Sequence, residues 1–422
     1  MKTGRWCRSI WLCFLVMTGC NPDSQTEDVK GILTDVQGIT VLSVWGTPYE
    51  QGYAQGYLTA ETIVDFMNQS IHDLGQGAFV QVWQNEVLPN LYKMTIPQTY
   101  ADELRGILHG MEAKMEGPVY IDGLERNLTY EDLVGAQCNE DILKMQSRCA
   151  SFCVWGPMTA DGQTITGRNY DHQDRQSETD FKRIVVRSAL SGGEMAWVSF
   201  CGPAEIGCTT GINEEGVTIS QHDGQEDFSS MNASDTIYPD GLVHRRAIET
   251  ARSASAENDV TTVFKRWAIA SSCIPMVTWP HSYHGPASVV YEMDSDRAID
   301  GGVTVRDVEG ETPYQITANN YRERPSQAIP DYRYDLLDSR LSSIAASGGI
   351  YHVDLEYAWQ LLGEVPANPD KSGGILVYSV VFEPDKMRMH VAVSKNGEHA
   401  PSGEKVSLDI AELLVRVQAE VR

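Results

Sequence analysis

Arg148-Cys-Ala-Ser-Phe-Cys-Val-Trp-Gly156, then Thr159-Ala-Asp-Gly162, then Thr166-Gly-Arg-Asn-Tyr-Asp171 is the stretch from which the fold reads. Asp161-Gly162 supplies the positive φ that a tight turn needs. Before it lies a short apolar run, Ala150 to Trp155. After it, Gln163 to Gly167 alternates polar and apolar residues, with Thr164 and Ile165 favouring a strand. The expectation is strand, turn, strand. Cys149 would then begin the first strand, and Arg168 and Asp171 would end the second. The open end of such a hairpin gathers a thiol, a guanidinium and a carboxylate, which is the outline of an active site.

The residue types suggest the chemistry. A thiol with an ordinary pKa near ~8.5 is mostly protonated at neutral pH, and an adjacent cation favours the thiolate. Arg168 is always charged and supplies that field without consuming a proton. If the peptide bond before Cys149 were cut, the new α-amine, with an ordinary pKa of about 7.7–8.0, would lie beside its own sulfur. It could then act as general base, with Asp171 orienting the amine and balancing the guanidinium.

These motifs resemble the nucleophile hairpin of the acyl-CoA:6-aminopenicillanic-acid acyltransferase-like family. That family is related to the choloylglycine (bile salt and penicillin V) hydrolases and to acid ceramidase among the N-terminal-nucleophile hydrolases. Val44-Trp-Gly-Thr-Pro-Tyr-Glu-Gln-Gly-Tyr-Ala-Gln-Gly56 resembles the family's N-terminal signature, in which spaced glycines suit close backbone packing or a helix start. With the matches described below, the resemblance covers the chain from about Val44 to Val393. It implies an α+β fold, a four-layer αββα sandwich, preceded by a pro-segment that is cut away yet stays bound. Runs of strands with helices before and between them independently suit two stacked sheets.

Residues 31–148 read as a mostly helical pro-segment. Apolar residues recur at helical spacing through Ile63, Phe66, Met67 and Ile71, and again through Leu104, Ile107, Leu108 and Met111. Residues 149–422 then form the catalytic chain. Arg148 stands where relatives usually carry a small residue. Two routes to a free Cys149 therefore remain open: attack by its own thiol on the Arg148 carbonyl, and an outside protease cutting after Arg.

Downstream, Thr210-Gly-Ile-Asn-Glu-Glu-Gly-Val-Thr-Ile-Ser220 reads as a hairpin, with Asn213 a turn residue before it is a substrate contact. Relatives place an oxyanion-hole group near His222 and Asp223, where a backbone N–H could donate. Gln315-Ile-Thr-Ala-Asn-Asn-Tyr321 resembles a strand end at which Asn319 would help hold the oxyanion and the nucleophile's amine. Arg333, on a helix after Asp331, is a further candidate, either facing the site or solvated. The resemblance requires no cofactor or metal.

Length, at 422 residues, allows a large core, and a net charge of −25 makes nucleic acid or an acidic membrane surface an unfavourable partner. Residues 1–19 read as a signal peptide: Lys2, Arg5 and Arg8 precede an apolar run too short to span a bilayer. Val16-Met-Thr-Gly-Cys20 resembles a bacterial lipobox, so Cys20 would be lipidated, and residues 20–30 would form the tether. The protein would then sit in the bacterial cell envelope, held to the membrane by lipid alone, with simple secretion as the alternative. Of the later cysteines, Cys201 and Cys208 are the most plausible disulfide in an oxidising compartment.

Three functions compete on these residues. Hydrolysis of a linear N-acyl amide is first, and transfer of an acyl group from a thioester to an amine is second. A catalytically silent surface binding lipoprotein that keeps the fold is third.

Overall fold

A computed structural model describes residues 28–421 apart from 144–147, 174, 191, 225–235, 282–284, 309, 311, 325–330, 366 and 368–373. The signal peptide, Cys20 and most of the tether lie outside the described residues. Two large sheets dominate the described residues, beside two small two-stranded ones. Nine strands run in sequence order across the first: β1 (Gly31–Val36), β2 (Ile39–Val44), β5 (Arg183–Arg187), β6 (Trp197–Cys201), β7 (Thr210–Asn213), β8 (Thr218–Ser220), β9 (Met276–Thr278), β10 (Ser288–Met293) and β11 (Val303–Arg306). Six form the second, in the order β12 (Tyr314–Thr317), β3 (Arg148–Val154), β4 (Ile165–Gln173), β13 (Gly374–Glu383), β14 (Arg388–Val393) and β15 (Val406–Asp409).

Alternation along each strand assigns its two faces. Val41, Ile184, Val186, Val198 and Phe200 of the first sheet share one core with Val377, Val380, Phe382, Met389 and Val391 of the second, so these faces pack together. The opposite face of the first sheet buries Trp197, Ile219, Val277 and Val289 under α4 (Asp240–Thr250) and α5 (Ala256–Arg266). The opposite face of the second buries Ala150, Phe152, Val154 and Val381 under α6 (Tyr332–Ala346) and α7 (Leu355–Glu364). The layers are therefore helix, sheet, sheet, helix.

The segment before Cys149 is less purely helical than its sequence pattern predicts. Gln37 and Gly38 both take positive φ, 53° and 86°, and turn β1 onto β2 as a hairpin. β2 then pairs in parallel with β5, Val41 to Val44 against Ile184 to Arg187, so this segment supplies two strands to the main sheet. Its helices follow as expected. α1 (Pro48–Asp73) opens with a capping box between Thr47 and Glu50, and α2 (Gln98–Lys114) crosses it at backbone contact. A Cβ added to Gly52 or Gly56 would stand 1.9 or 2.0 Å from the carbonyl oxygens of Glu103 and Ile107. The spaced glycines of the N-terminal signature thus serve close packing. Glu103 of α2 also reaches Arg187 at 3.3 Å and Arg245 at 2.7 Å, all three fully buried. Sheet pairing, helix packing and buried charge all bind this segment to the chain that follows Cys149.

The expected Cys201–Cys208 disulfide is not formed; the six described cysteines are all free and buried. The turn between them carries the two thiols into different cores. Cys201 packs with Leu42, Ala54 and Val185 beside α1, whereas Cys208 packs with Trp197 and Val243 beside α4.

Candidate active site

β3 and β4 pair antiparallel from Arg148↔Asp171 to Val154↔Ile165, as the hairpin reading requires. The connection is longer than a tight turn. It includes a single helical turn, Gly156–Met158, and Gly162 takes φ 75°. The register places Cys149 opposite Tyr170 and Ser151 opposite Arg168. Directly opposed residues share a face, so Cys149, Ser151, Arg168 and Tyr170 all point between the sheets.

Arg168 reaches the sulfur: its Nη2 donates to Cys149 Sγ at 3.5 Å. Nη1 donates to the Thr209 carbonyl oxygen. The guanidinium is flanked by the rings of Tyr170 and Tyr378, each 5.9 Å away, and those rings stack on each other at 4.8 Å. Burial alone would lower the arginine pKa. Tyr378 and the Cys149 thiol outweigh it and hold the charge more firmly than usual. Asp171 is also buried, but falls on the other pleat with Arg148 and Asn169. It flanks the Arg148–Cys149 peptide rather than sharing the face of Arg168.

Asn319 is bound to the backbone nitrogen of Cys149. Its Oδ1 accepts from Cys149 N–H at 2.9 Å and from Arg333 Nη2 at 2.8 Å, while its Nδ2 donates to the Asp223 carbonyl oxygen at 2.6 Å. Two donors on one side and a carbonyl on the other fix the orientation of this amide. Nδ2 carries two N–H groups, and Asp223 takes one of them. Arg333 is 2% exposed, not solvated. It is held by both carboxylate oxygens of Asp331, at 3.1 and 2.9 Å, and Asp331 itself caps α6.

His222 lies in the same layer. Its Nδ1–H donates to the Ile274 carbonyl at 2.9 Å, so Nε2 is the acceptor for the Ser151 hydroxyl at 2.7 Å. Burial, then the Arg168 charge, pushes its pKa far down and keeps it neutral. The ring therefore ties β3 to the first sheet, and the Asp223 carbonyl one residue on meets Asn319. Asn213 is excluded from the site. Its Oδ1 accepts from Glu215 and Val217 N–H and its Nδ2 donates to Ile248 and Ala251 carbonyls, so it fixes the β7–β8 turn against the end of α4.

A cavity of 230 Å³ reaches Arg168, the partner of the thiol, with Tyr170, Thr209 and Tyr378 also in its wall. The segment before Cys149 supplies an apolar side, including Phe66, Met67, Ile71, Leu74, Phe79 and Trp83. Among the described residues, no group of three or more His, Cys, Asp or Glu could hold a metal ion, and no helix is long and apolar enough to cross a membrane. The sequence reading missed Thr209, Tyr378 and Asp331. Only Asp331 left a local signal, as a capping residue two positions before Arg333.

No family model matches the chain, and no curated protein matches it. Among solved structures it is similar to conjugated bile acid hydrolase from Clostridium perfringens, at 12% identity over 63% of this chain and 94% of that one, with a TM-score of 0.46. Penicillin V acylase from Agrobacterium tumefaciens is similar at 13% identity over 63% and 88%, TM-score 0.41. The Caenorhabditis elegans ortholog of N-acylethanolamine-hydrolyzing acid amidase is similar at 16% identity over 56% and 93%, TM-score 0.37.

Proposed function

We propose that this protein is a cysteine N-terminal-nucleophile amidohydrolase that cleaves a linear N-acyl amide. One observation carries the reading: a single residue, Cys149, has its sulfur on Arg168 and its nitrogen on Asn319. A buried thiol needs neither contact for packing. Together they hold the sulfur and the nitrogen of one residue, the nucleophile and the base that an N-terminal cysteine requires.

In the intact chain that nitrogen is an amide. Attack of the Cys149 thiol on the Arg148 carbonyl shifts the acyl group from nitrogen to sulfur and frees the Cys149 amine, and water then hydrolyses the thioester to the Arg148 carboxylate and the Cys149 thiol. Catalysis reuses the same atoms. The thiol passes its proton to the α-amine as sulfur attacks the substrate carbonyl, and the α-amine delivers that proton to the departing amine. Water, deprotonated by the α-amine, hydrolyses the thioester and releases the acid. An acceptor amine in place of water would give acyl transfer by the same intermediate.

The test compares intact mass and N-terminal sequence of the purified protein with those of Cys149→Ala. A fragment beginning at Cys149 in the wild type alone, together with release of acid from N-acyl amides, is the expected result. Cutting of both proteins assigns the step to an outside protease. An uncut wild-type chain with an unreactive thiol overturns the proposal and favours the silent binding protein. Lipidation at Cys20 and an envelope location belong to the same proposal and are checked by metabolic labelling with a fatty-acid analogue.

A further inference from the structure

The cavity that reaches Arg168 is lined by more carboxylates (Glu140, Glu178, Glu205, Asp223 and Asp240) than lysines and arginines (Arg168, Arg175 and Lys182). Within it Lys182 pairs with Glu178 at 3.0 Å. Glu140, from the last turn of α3 (Tyr130–Leu143), lines the same cavity and feels the Asp223 and Asp240 carboxylates most strongly. Among the described residues no lysine or arginine forms an ion pair with Glu140 or Asp240. The Asp240 carboxylate is satisfied only by neutral donors, Gln221 Nε2 at 2.6 Å and Gly241 N–H at 2.5 Å.

Gln221 adds an independent sign. It lines the cavity at 2% exposure, with its Nε2 spent on Asp240 and its Oε1 left without a donor. Buried acceptors are nearly always paired. Its own Nε2 faces the Asp240 and Asp223 carboxylates, at 2.6 and 3.4 Å, so the amide stands among acidic side chains. A cation carrying N–H groups would meet Gln221 and Glu140 together. Burial first, then the mutual repulsion of these carboxylates, pushes the Glu140 and Asp240 carboxyls far up, which is the state an absent counter-charge leaves.

The acidic wall is also linked to Cys149 through Asn319. Asp223 gives its carbonyl to Asn319, which holds Cys149 N–H. The apolar side suits an acyl chain, which leaves the acidic wall for the amine half. Resting on the amidohydrolase reading, we propose that the amine half of the substrate carries a second, protonated nitrogen, bound by Glu140 and Gln221 Oε1. The substrate class is an N-acylated diamine or polyamine. One water adds across the amide bond, its oxygen going to the acyl carbon as carboxylate and two protons to the leaving nitrogen, so the products are a fatty acid anion and a doubly charged diamine.

The test uses the processed protein with N-decanoyl-putrescine and its uncharged isostere, N-decanoyl-pentylamine. The expected result is a kcat/KM at least about tenfold higher for the cation, a preference that Glu140→Gln collapses and Gln221→Leu reduces several-fold. An equal or better rate for the uncharged amide overturns this inference and leaves the amidohydrolase reading standing. If neither amide is cleaved, the amidohydrolase reading is what fails, and spermidine binding by calorimetry decides the inference. Binding that Glu140→Gln weakens at least about tenfold supports the site; absent or unchanged binding overturns it. Glu140→Asp, which keeps the charge, retains part of the preference and separates lost recognition from lost folding.

Discussion

Cys149 and Cys153 lie on one strand, on one face, both fully buried, about 13 Å apart at the rise of an extended chain. They differ only in surroundings. Cys153 sits in an apolar cluster with Ile274, Met276, Ala287 and Val290, and burial pushes its thiol up to about 12, against weak help from the Thr166 and Ser288 hydroxyls. Cys149 instead meets a buried guanidinium that two tyrosine rings and a carbonyl hold in place. The sandwich core alone makes an inert thiol. One imported charge at the end of the strand, fixed by β4 and β13, is what sets Cys149 apart and suits it to the nucleophile's role proposed above.

The largest contrast follows directly. Cys149→Ala is expected to abolish chain cutting and reduce amide hydrolysis to background, a loss of about 10⁶-fold where a nucleophile is removed. Cys153→Ala should leave kcat within about threefold and lower stability by about 1 kcal/mol. Parallel activity assays and urea melts check both, and comparable losses of activity would break the contrast. Arg168→Met turns the first site toward the second. Removing an opposite charge at contact raises a thiol pKa by about 1–3 units, so Cys149 alkylation at pH 7 should slow by roughly one to three orders of magnitude. A pH profile of iodoacetamide labelling reads the shift.

The contrast was half legible in the sequence. Turn chemistry at Asp161-Gly162 and the alternation after it put Cys149 and Arg168 at one end of a hairpin, because both are local signals. Asn319 could be placed only through resemblance, since it lies 170 residues from Cys149 in the chain. The β1–β2 hairpin did carry a signal, Gln37-Gly38 between apolar runs, but helical periodicity later in the segment dominated its reading. Tyr378 looks like any core residue of a buried strand, and the acidic wall gathers Glu140, Gln221 and Asp240 from three elements. Assemblies of that kind exist only after folding.

Asn319→Ala probes the nitrogen side of the same residue. It leaves Cys149 N–H and Arg333 without their shared acceptor, and a poorly held reacting group costs about 10²-fold in rate. The expected loss falls mainly on kcat, with KM little changed. Arg333→Gln should follow in the same direction with a smaller effect, because Arg333 acts through Asn319. It also leaves Asp331 buried beside a neutral partner, so its Tm falls further than that of Asn319→Ala. A Tm loss with unaltered kcat for either variant would make the pair purely structural.

The smallest expected effect belongs to the inert thiol and has a definite sign. The Cys153 thiol is held at about 12 in the folded protein, above its ordinary value of 9.0. Between those values the folded chain keeps a proton that the unfolded chain has released, so unfolding is favoured as pH rises. Below pH ~9 this group's contribution is fully present, and it is lost progressively as pH climbs toward ~12. Each unit in that window is worth about 1.4 kcal/mol. Cys138, Cys201, Cys208 and Cys273 are pushed up in the same way, so the total slope does not isolate Cys153, but a difference does. Urea melts at pH 8 and pH 10 should show Cys153→Ala losing about 1 kcal/mol less than wild type over that interval. Equal losses would mean that Cys153 reaches a cation or water at the far end of the strand, and the two thiols would no longer be opposites.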